Sequence, residues 1–379
     1  MTYTPPKVWY SATVGGTYTE LTGIQSINIS RGRQRFIDPF AGSTCTIELI
    51  PANSYSPDLA IGQFLDIRAS NSASSPAVFV GHITDIERSY GIPYDAGNTI
   101  AAPADRITIS CTGGTGAAAS LAITADFDML TGLSSIVELN GLLQTYSDVS
   151  VVNFGDFLAA APASIQTVTA GAQVWDVANQ LLRTAQWFID DEDQARNALV
   201  NYAVSLRAPG TTTTVTFQDD NTTGFRYSGL DYLSSVQQTF SSVVVEPTGL
   251  TPQYAESGDL LNSYTLSTYN ATTGDAYSLA SYLLALSSET EPTPFVIRTS
   301  TVVDSGVDVL ARFMDYPVGI GVEVVFRGTT VGATVQGWNF GFYPDQMTVA
   351  CYLSPSLGTP FTLDSSLFGV LDTNRLGYP

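Results

Sequence analysis

The sequence predicts a mainly β protein with an α+β insertion, built on two related β-barrel domains. Three observations predict this class. Most of the chain consists of short β-branched and aromatic runs with period-two alternation, separated by Gly, Pro, Asn and Ser. Helical periodicity is confined to a few segments, two of them inside an Ala-rich stretch at about 116–203. A succession of strand patterns beginning near Ile61 returns near Ile320.

Taken in order, residues 44–50 put Cys45, Ile47 and Leu49 in one phase, and residues 63–68 do the same for Leu65 and Ile67. Residues 106–111 align Ile107, Ile109 and Cys111, and residues 346–353 align Met347, Val349, Cys351 and Leu353. The three cysteines therefore read as small buried hydrophobes with inert thiols, since an odd, widely spaced set makes neither a disulfide framework nor a zinc knuckle. Gly113-Gly114-Thr115-Gly116 reads as the hinge into the insertion, because it lacks the ending and spacing of a phosphate loop. Ser135 and Glu138 form a capping box ahead of Ile136, Leu139, Leu142 and Leu143. Across 172–185, Val174, Val177, Ala178, Leu181, Leu182 and Ala185 follow helical spacing. A further helix starts at Asp275 and carries Ala276, Leu279, Ala280, Leu283 and Leu284.

The repeat aligns Ile61-Gly62 with Ile320-Gly321, Val80-Gly81 with Val331-Gly332, and the strand ending at Cys111 with the one ending at Cys351. The first copy is longer because of loop-like segments at 71–76 and 91–105, where insertions are tolerated. The resulting division is a first barrel at 1–115 completed by strands within about 204–245, an inserted α+β domain at 116–203, a second barrel with one helix at 246–353, and a C-terminal extension at 354–379.

Composition narrows the function. A chain of 379 residues can bury a large core without disulfides or metals. Its 35 acids and 15 bases give a net charge of −20, which opposes nucleic-acid and anionic-membrane binding. His82 is the only histidine and Lys7 the only lysine, which excludes multi-histidine metal sites and most lysine chemistry. No apolar run reaches the length of a membrane span, and the start shows no signal-peptide pattern. His82 sits within a predicted strand and no nucleophile elbow is present, so it reads as structural. The acidic run from Asp190 to Asp193 lacks the spacing of a calcium loop and reads as a solvated hairpin turn. No catalytic, cofactor or metal constellation stands out, and the chain reads as a non-enzyme.

The order of segments resembles a known family. Ser30-Arg31-Gly32-Arg33-Gln34-Arg35 leads through Phe40-Ala41-Gly42-Ser43-Thr44-Cys45 to the strand at 61–67 and then Phe79-Val80-Gly81-His82. This resembles the N-terminal barrel of the tail-hub or baseplate-hub (minor tail) proteins of long-tailed bacteriophages. Ala172-Gln173-Val174-Trp175-Asp176, Phe217-Gln218-Asp219-Asp220 and Leu367-Phe368-Gly369-Val370 are also similar to that family. The resemblance implies a structural homotrimer with two barrels per chain, six in a ring. Such a ring matches the sixfold tail tube and distal tail protein on one side and threefold fibre or tip proteins on the other. It implies a place at the distal end of the virion tail, with tape-measure protein as a neighbour, DNA only as passing cargo, and no cofactor. The acidic surplus suits a channel wall that does not hold DNA. The alternatives are a carbohydrate- or receptor-binding tail protein and a β-rich hydrolase. Three arginines within five residues, Arg31, Arg33 and Arg35, together with Phe36, mark the loop at 31–39 as the candidate interface.

Overall fold

The structure is a computed structural model. It describes residues 3–13, 16–51, 58–68, 77–91, 105–129, 135–147, 149–154, 166–191, 202–207, 213–219, 224–232, 240–257, 262–287, 294–302, 316–355, 360–361 and 375–376.

The chain opens with seven strands: β1 (Lys7–Ser11), β2 (Thr19–Leu21), β3 (Ile24–Gly32), β4 (Thr44–Leu49), β5 (Phe64–Arg68), β6 (Ala77–Ser89) and β7 (Arg106–Thr112). An α+β insertion follows, comprising α1 (Gly114–Ala119), β8 (Phe127–Asp128), α2 (Ser135–Tyr146), β9 (Val149–Phe154), β10 (Thr167–Val168), α3 (Val174–Ala185), β11 (Phe188–Asp191) and β12 (Tyr202–Arg207). Next come β13 (Thr213–Gln218), β14 (Phe225–Arg226) and β15 (Gly229–Tyr232). A small unit of β16 (Ser242–Pro247), β17 (Gln253–Glu256), β18 (Ser263–Thr268) and α4 (Thr273–Ser287) interrupts them. The second set is completed by β19 (Pro294–Ser300), β20 (Gly321–Phe326), β21 (Thr329–Phe342) and β22 (Met347–Pro355).

The first seven strands pair in the order β2-β1-β5-β6-β7-β4-β3. The second seven pair as β14-β13-β20-β21-β22-β19-β15, which is the same order position for position. The one difference in sense is β13, which runs parallel to β20 and β14, whereas β1 runs antiparallel to β5 and β2. Hydrogen bonds fix the alignment of the copies. The Gly62 N–H donates to the Ile83 carbonyl (2.8 Å) and the Ile83 N–H to that of Gln63 (2.9 Å). Gly319, Val335 and Ile320 repeat the pair at 2.9 and 3.0 Å. Both glycines hold positive φ, +86° and +91°, a conformation that only glycine adopts at little cost. A bulge follows at the same point, between Ile83 and Asp85 in β6 and between Val335 and Gly337 in β21.

The duplication is therefore present, but in a different register from the one read in the sequence. Gly62 matches Gly319, Gly81 matches Ala333, and Cys351 matches Ile109. Gly62 and the cysteine-ended strand shift by two residues, which leaves every side chain on its face and which a hydrophobic pattern cannot detect, whereas Gly81 shifts by one, from Gly332 to Ala333. The strands at 204–245, expected to complete the first set, do not pair with it. β13 and β14 pair with β20 and with each other, and β15 pairs with β19. The predicted helix at 275 belongs to neither set, because α4 packs on the β17-β16-β18 sheet around Val243, Val245, Leu266, Ala280 and Leu283. It begins at Thr273, two residues early, because the Thr272 hydroxyl accepts the Asp275 N–H (3.1 Å) and caps the first turn.

β3 also pairs antiparallel with the second half of β21, from Ile27 opposite Phe342 to Gly32 opposite Gly337, making one sheet of both sets. No pair closes that sheet end to end among the described residues. In each set, however, one bent segment reaches both ends of the order: β2 runs into β3 with two residues between, and β14 into β15 likewise. Along β21, Trp338, Phe340 and Phe342 stack at 5.9 and 6.2 Å and are almost wholly buried. All three cysteines are buried and free, with Cys45 directly opposite Cys111, and burial pushes the Cys111 thiol up to about 12.

The aligned copies predict unequal costs for equivalent truncations. Tyr90 occupies in the first copy the place of Phe342 in the second, yet it is 66% exposed while Phe342 is 1% exposed. Phe342→Ala should cost about 3–5 kcal/mol, and Tyr90→Ala about 0.5 kcal/mol or less, in urea unfolding of the dilute chain.

Candidate functional site

The loop after β3 lies where all the units of the chain meet. Arg31, still within β3, is held over the Phe340 ring at 5.1 Å and comes within 3.9 Å of the Asp190 carboxylate. Arg33 donates from Nε to the Gln336 side-chain oxygen (2.7 Å) and from Nη1 to the Asp38 carbonyl (3.3 Å). Its guanidinium lies 4.4 Å from the centre of Phe40 and 5.3 Å from that of Phe188. Burial, and next the nearby Arg183, bring the Arg33 pKa down to about 10, which leaves it charged at neutral pH. Arg35 grips the Asp38 carboxylate at 2.7 and 3.0 Å within the loop. Phe36 packs edge-on to Phe240 at 6.5 Å, and Tyr264 donates to the Ile37 carbonyl (3.1 Å), so this end of the loop is seated on the small α4 unit.

The insertion grips the same loop from the other side. Trp175 Nε1 donates to the Phe40 carbonyl (2.8 Å), and Asn179, one turn along α3, accepts the Phe40 N–H (2.8 Å). Strand β11 then places two carboxylates between the copies. Asp190 accepts the Val318 N–H of the second copy (3.0 Å). Asp191 accepts the Thr115 N–H (2.9 Å) and the Ser43 hydroxyl of the first copy. Close backbone approach is needed on both sides: a Cβ on Gly319 would lie 2.7 Å from Phe188, and one on Gly42 would lie 2.4 Å from the Gly116 Cα.

The structure thus brings Arg31, Arg33, Arg35 and Phe36 together, and their contacts described here are within one chain. Asp190 and Asp191 are not the solvated turn that the run of acids suggested. They end a buried strand, and one oxygen of Asp190 and both of Asp191 take protein donors; Glu192 and Asp193 lie outside the described residues. Sequence reasoning also missed Asn179, whose one signal is a polar side chain on the apolar face of a helix. His82 packs its ring against Phe64 at 5.4 Å, and burial lowers its pKa. Among the described residues, no group of three or more His, Cys, Asp and Glu is placed to hold a metal ion.

The chain is built of two copies of a seven-strand repeat locked together by an insertion. That fold is the fold of bacteriophage tail proteins. The chain superposes on a tail protein from Neisseria meningitidis MC58 with a TM-score of 0.61 at 13% identity, covering 93% of this chain and 97% of the other. It superposes on the 43 kDa tail protein of prophage MuSo2 from Shewanella oneidensis with a TM-score of 0.63 at 11% identity, over 92% and 98% of the two chains. Prophage tail protein gp18 from Listeria monocytogenes EGD-e gives a TM-score of 0.50 at 10% identity, over 92% and 94%. No protein-family model and no curated protein matches the sequence.

The junction carries a pH signature. Burial pushes the Asp191 carboxyl up to about 6, against the opposing pull of the Ser43 and Thr115 hydrogen bonds. A carboxyl raised in the folded state favours folding when protonated. Its contribution is therefore complete below about pH 4 and is lost as pH rises through 6. Relative to Asp191→Asn, the wild-type chain should lose about 2–3 kcal/mol between pH 4 and pH 7. Urea midpoints of both proteins across that range check this, and a constant difference would contradict it.

Proposed function

We propose that the protein is a structural hub at the tip of a bacteriophage tail, a ring component with no chemistry of its own. The observation that carries this reading is the repeated strand order, 2-1-5-6-7-4-3 in both halves of one chain. A chain with two like repeats presents twice as many like units as its copy number, which is what joining parts of different symmetry requires. Three copies then give six repeats, each curled into a barrel by its bent β2–β3 or β14–β15 segment. Likeness in fold to tail proteins over nearly the whole chain supports the same reading.

In this reading the ring meets the sixfold tail tube and the distal tail protein on one face and threefold tip or fibre proteins on the other. Tape-measure protein and then DNA pass through its channel. The surplus of twenty acids per chain opposes retention of a phosphate backbone. In this reading the loop at 31–39 also contributes to a neighbour contact, Arg35 and Phe36 reaching it from their seats on Asp38 and Phe240, while Arg31 and Arg33 lie deeper in the chain. Antibodies against the chain should label purified particles at the tail end remote from the capsid. Labelling of the capsid, or absence of the chain from particles, would contradict the assignment.

A further inference from the structure

The pairing of β3 with β21 also builds a face that neither repeat has alone. Five strands lie side by side on it, β4 and β3 from the first repeat and β21, β22 and β19 from the second. Two rungs of side chains cross them, each residue directly opposite the next. One runs from Thr44 through Ser30, Asn339 and Ala350 to Arg298. The other runs from Thr46 through Asn28, Gly341 and Thr348 to Ser300. Strands stand about 4.8 Å apart, so a rung spans roughly 19 Å. Together the rungs line an open groove of about 600 Å³. Gly341 keeps its floor low, since a Cβ there would lie 2.6 Å from the Thr348 Oγ1. No acid lines the groove, and its one charged residue, Arg298, is paired with the Asp231 carboxylate. In a chain of net charge −20, this lining is neutral. Asn28, Ser30 and Thr44 are exposed, and their side chains, like those of the half-buried Thr46 and Ser300, make no hydrogen bond among the described residues. Asn339 donates to the Tyr352 hydroxyl (2.9 Å), while its own Oδ1 has no donor.

We propose that this groove binds an uncharged saccharide chain laid across the five strands. Hydroxyls and carboxamides supply both donors and acceptors, as sugar hydroxyls do, so the rungs pair with a polyol without a charge on either side. The unfilled Asn339 acceptor takes one such hydroxyl. An anionic ligand would find no unpaired cation here, and a cationic one no carboxylate. The spacing between strands is close to the length of one pyranose unit, so the polar groups recur in step with a sugar chain. Tyr352, two residues along β22 from Ala350, stands edge-on to Phe295 at 6.0 Å and gives the groove an aromatic flank for the apolar face of a ring. An extended peptide fits less well. Peptides add to a sheet through backbone hydrogen bonds at an open edge, and β4, β3, β21 and β22 are each paired on both sides. The site belongs to the single chain and does not rest on the hub reading.

An array of neutral and anionic oligosaccharides, with titration calorimetry of the hits against the full chain, tests the proposal. At least one neutral oligosaccharide should bind saturably, one per chain. Ser30→Ala with Thr44→Ala removes hydroxyls from the first rung, and Asn28→Ala with Ser300→Ala removes an amide and a hydroxyl from the second. None of the four side chains holds a partner in the fold, so both double variants should keep the urea midpoint and lose affinity by about fivefold or more. Tyr254→Ser, at an exposed position of β17 in the small α4 unit, should change neither. No saturable neutral ligand, a preference for anionic sugars, or binding that both double variants retain would overturn the proposal. A groove that takes an uncharged extended peptide and no sugar would overturn it as well. None of these outcomes bears on where the chain sits in the particle, so the hub reading stands or falls separately on antibody labelling.

Discussion

The antiparallel pairing of β3 with β21 is the constraint on which the other contacts of this molecule depend. It joins the two repeats through backbone hydrogen bonds from Ile27 to Gly32, so their relative position is set by a ladder rather than by side-chain packing alone. That position brings Arg31 over Phe340 and Arg33 to Gln336, and it lets Trp338, Phe340 and Phe342 form a buried aromatic ladder. Aromatic side chains bury 150–250 Å² each, so roughly 500 Å² of surface depends on one strand staying in place. Tyr90, with no described strand beside it, shows what the same position looks like uncovered.

The insertion acts on that frame. α3 holds Phe40 through Trp175 and Asn179, and β11 sets Asp191 against the first repeat and Asp190 against the second. Charged side chains are scarce in this sequence, 13% of residues, yet three arginines and three aspartates converge here. Buried charges without partners are expensive, and breaking one member of such a set leaves another uncompensated. The junction is therefore specific as well as stable: a different seating of the insertion would strand Asp190 or Arg31 away from its donors and rings.

Much of this was legible in the sequence, and the parts that were not share a cause. Strand phases around Cys45, Ile109 and Met347 and the helix over Val174–Ala185 follow from periodicity, because each element buries one face. The duplication was visible too, but its register was not, since a shift of two preserves the pattern and only the turn at Gly62 and Gly319 distinguishes the alternatives. Strand partners over long separations were the least legible. Nothing local in Val215 or Phe217 says that β13 adds to β20 rather than to the first repeat, because both offer an apolar edge. At the junction, the arginines stood out by contrast with the acidic chain. Asp190 and Asp191 were misread because a run of acids is ordinarily solvated, and their donors come from residues more than seventy positions away.

The hub reading requires the two repeats to stand side by side around one axis. An electron-microscopy map of the purified oligomer tests it most directly. The hub reading predicts six similar lobes around a single axis, the two repeats alternating. A ring of three lobes with the repeats stacked along the axis would contradict it.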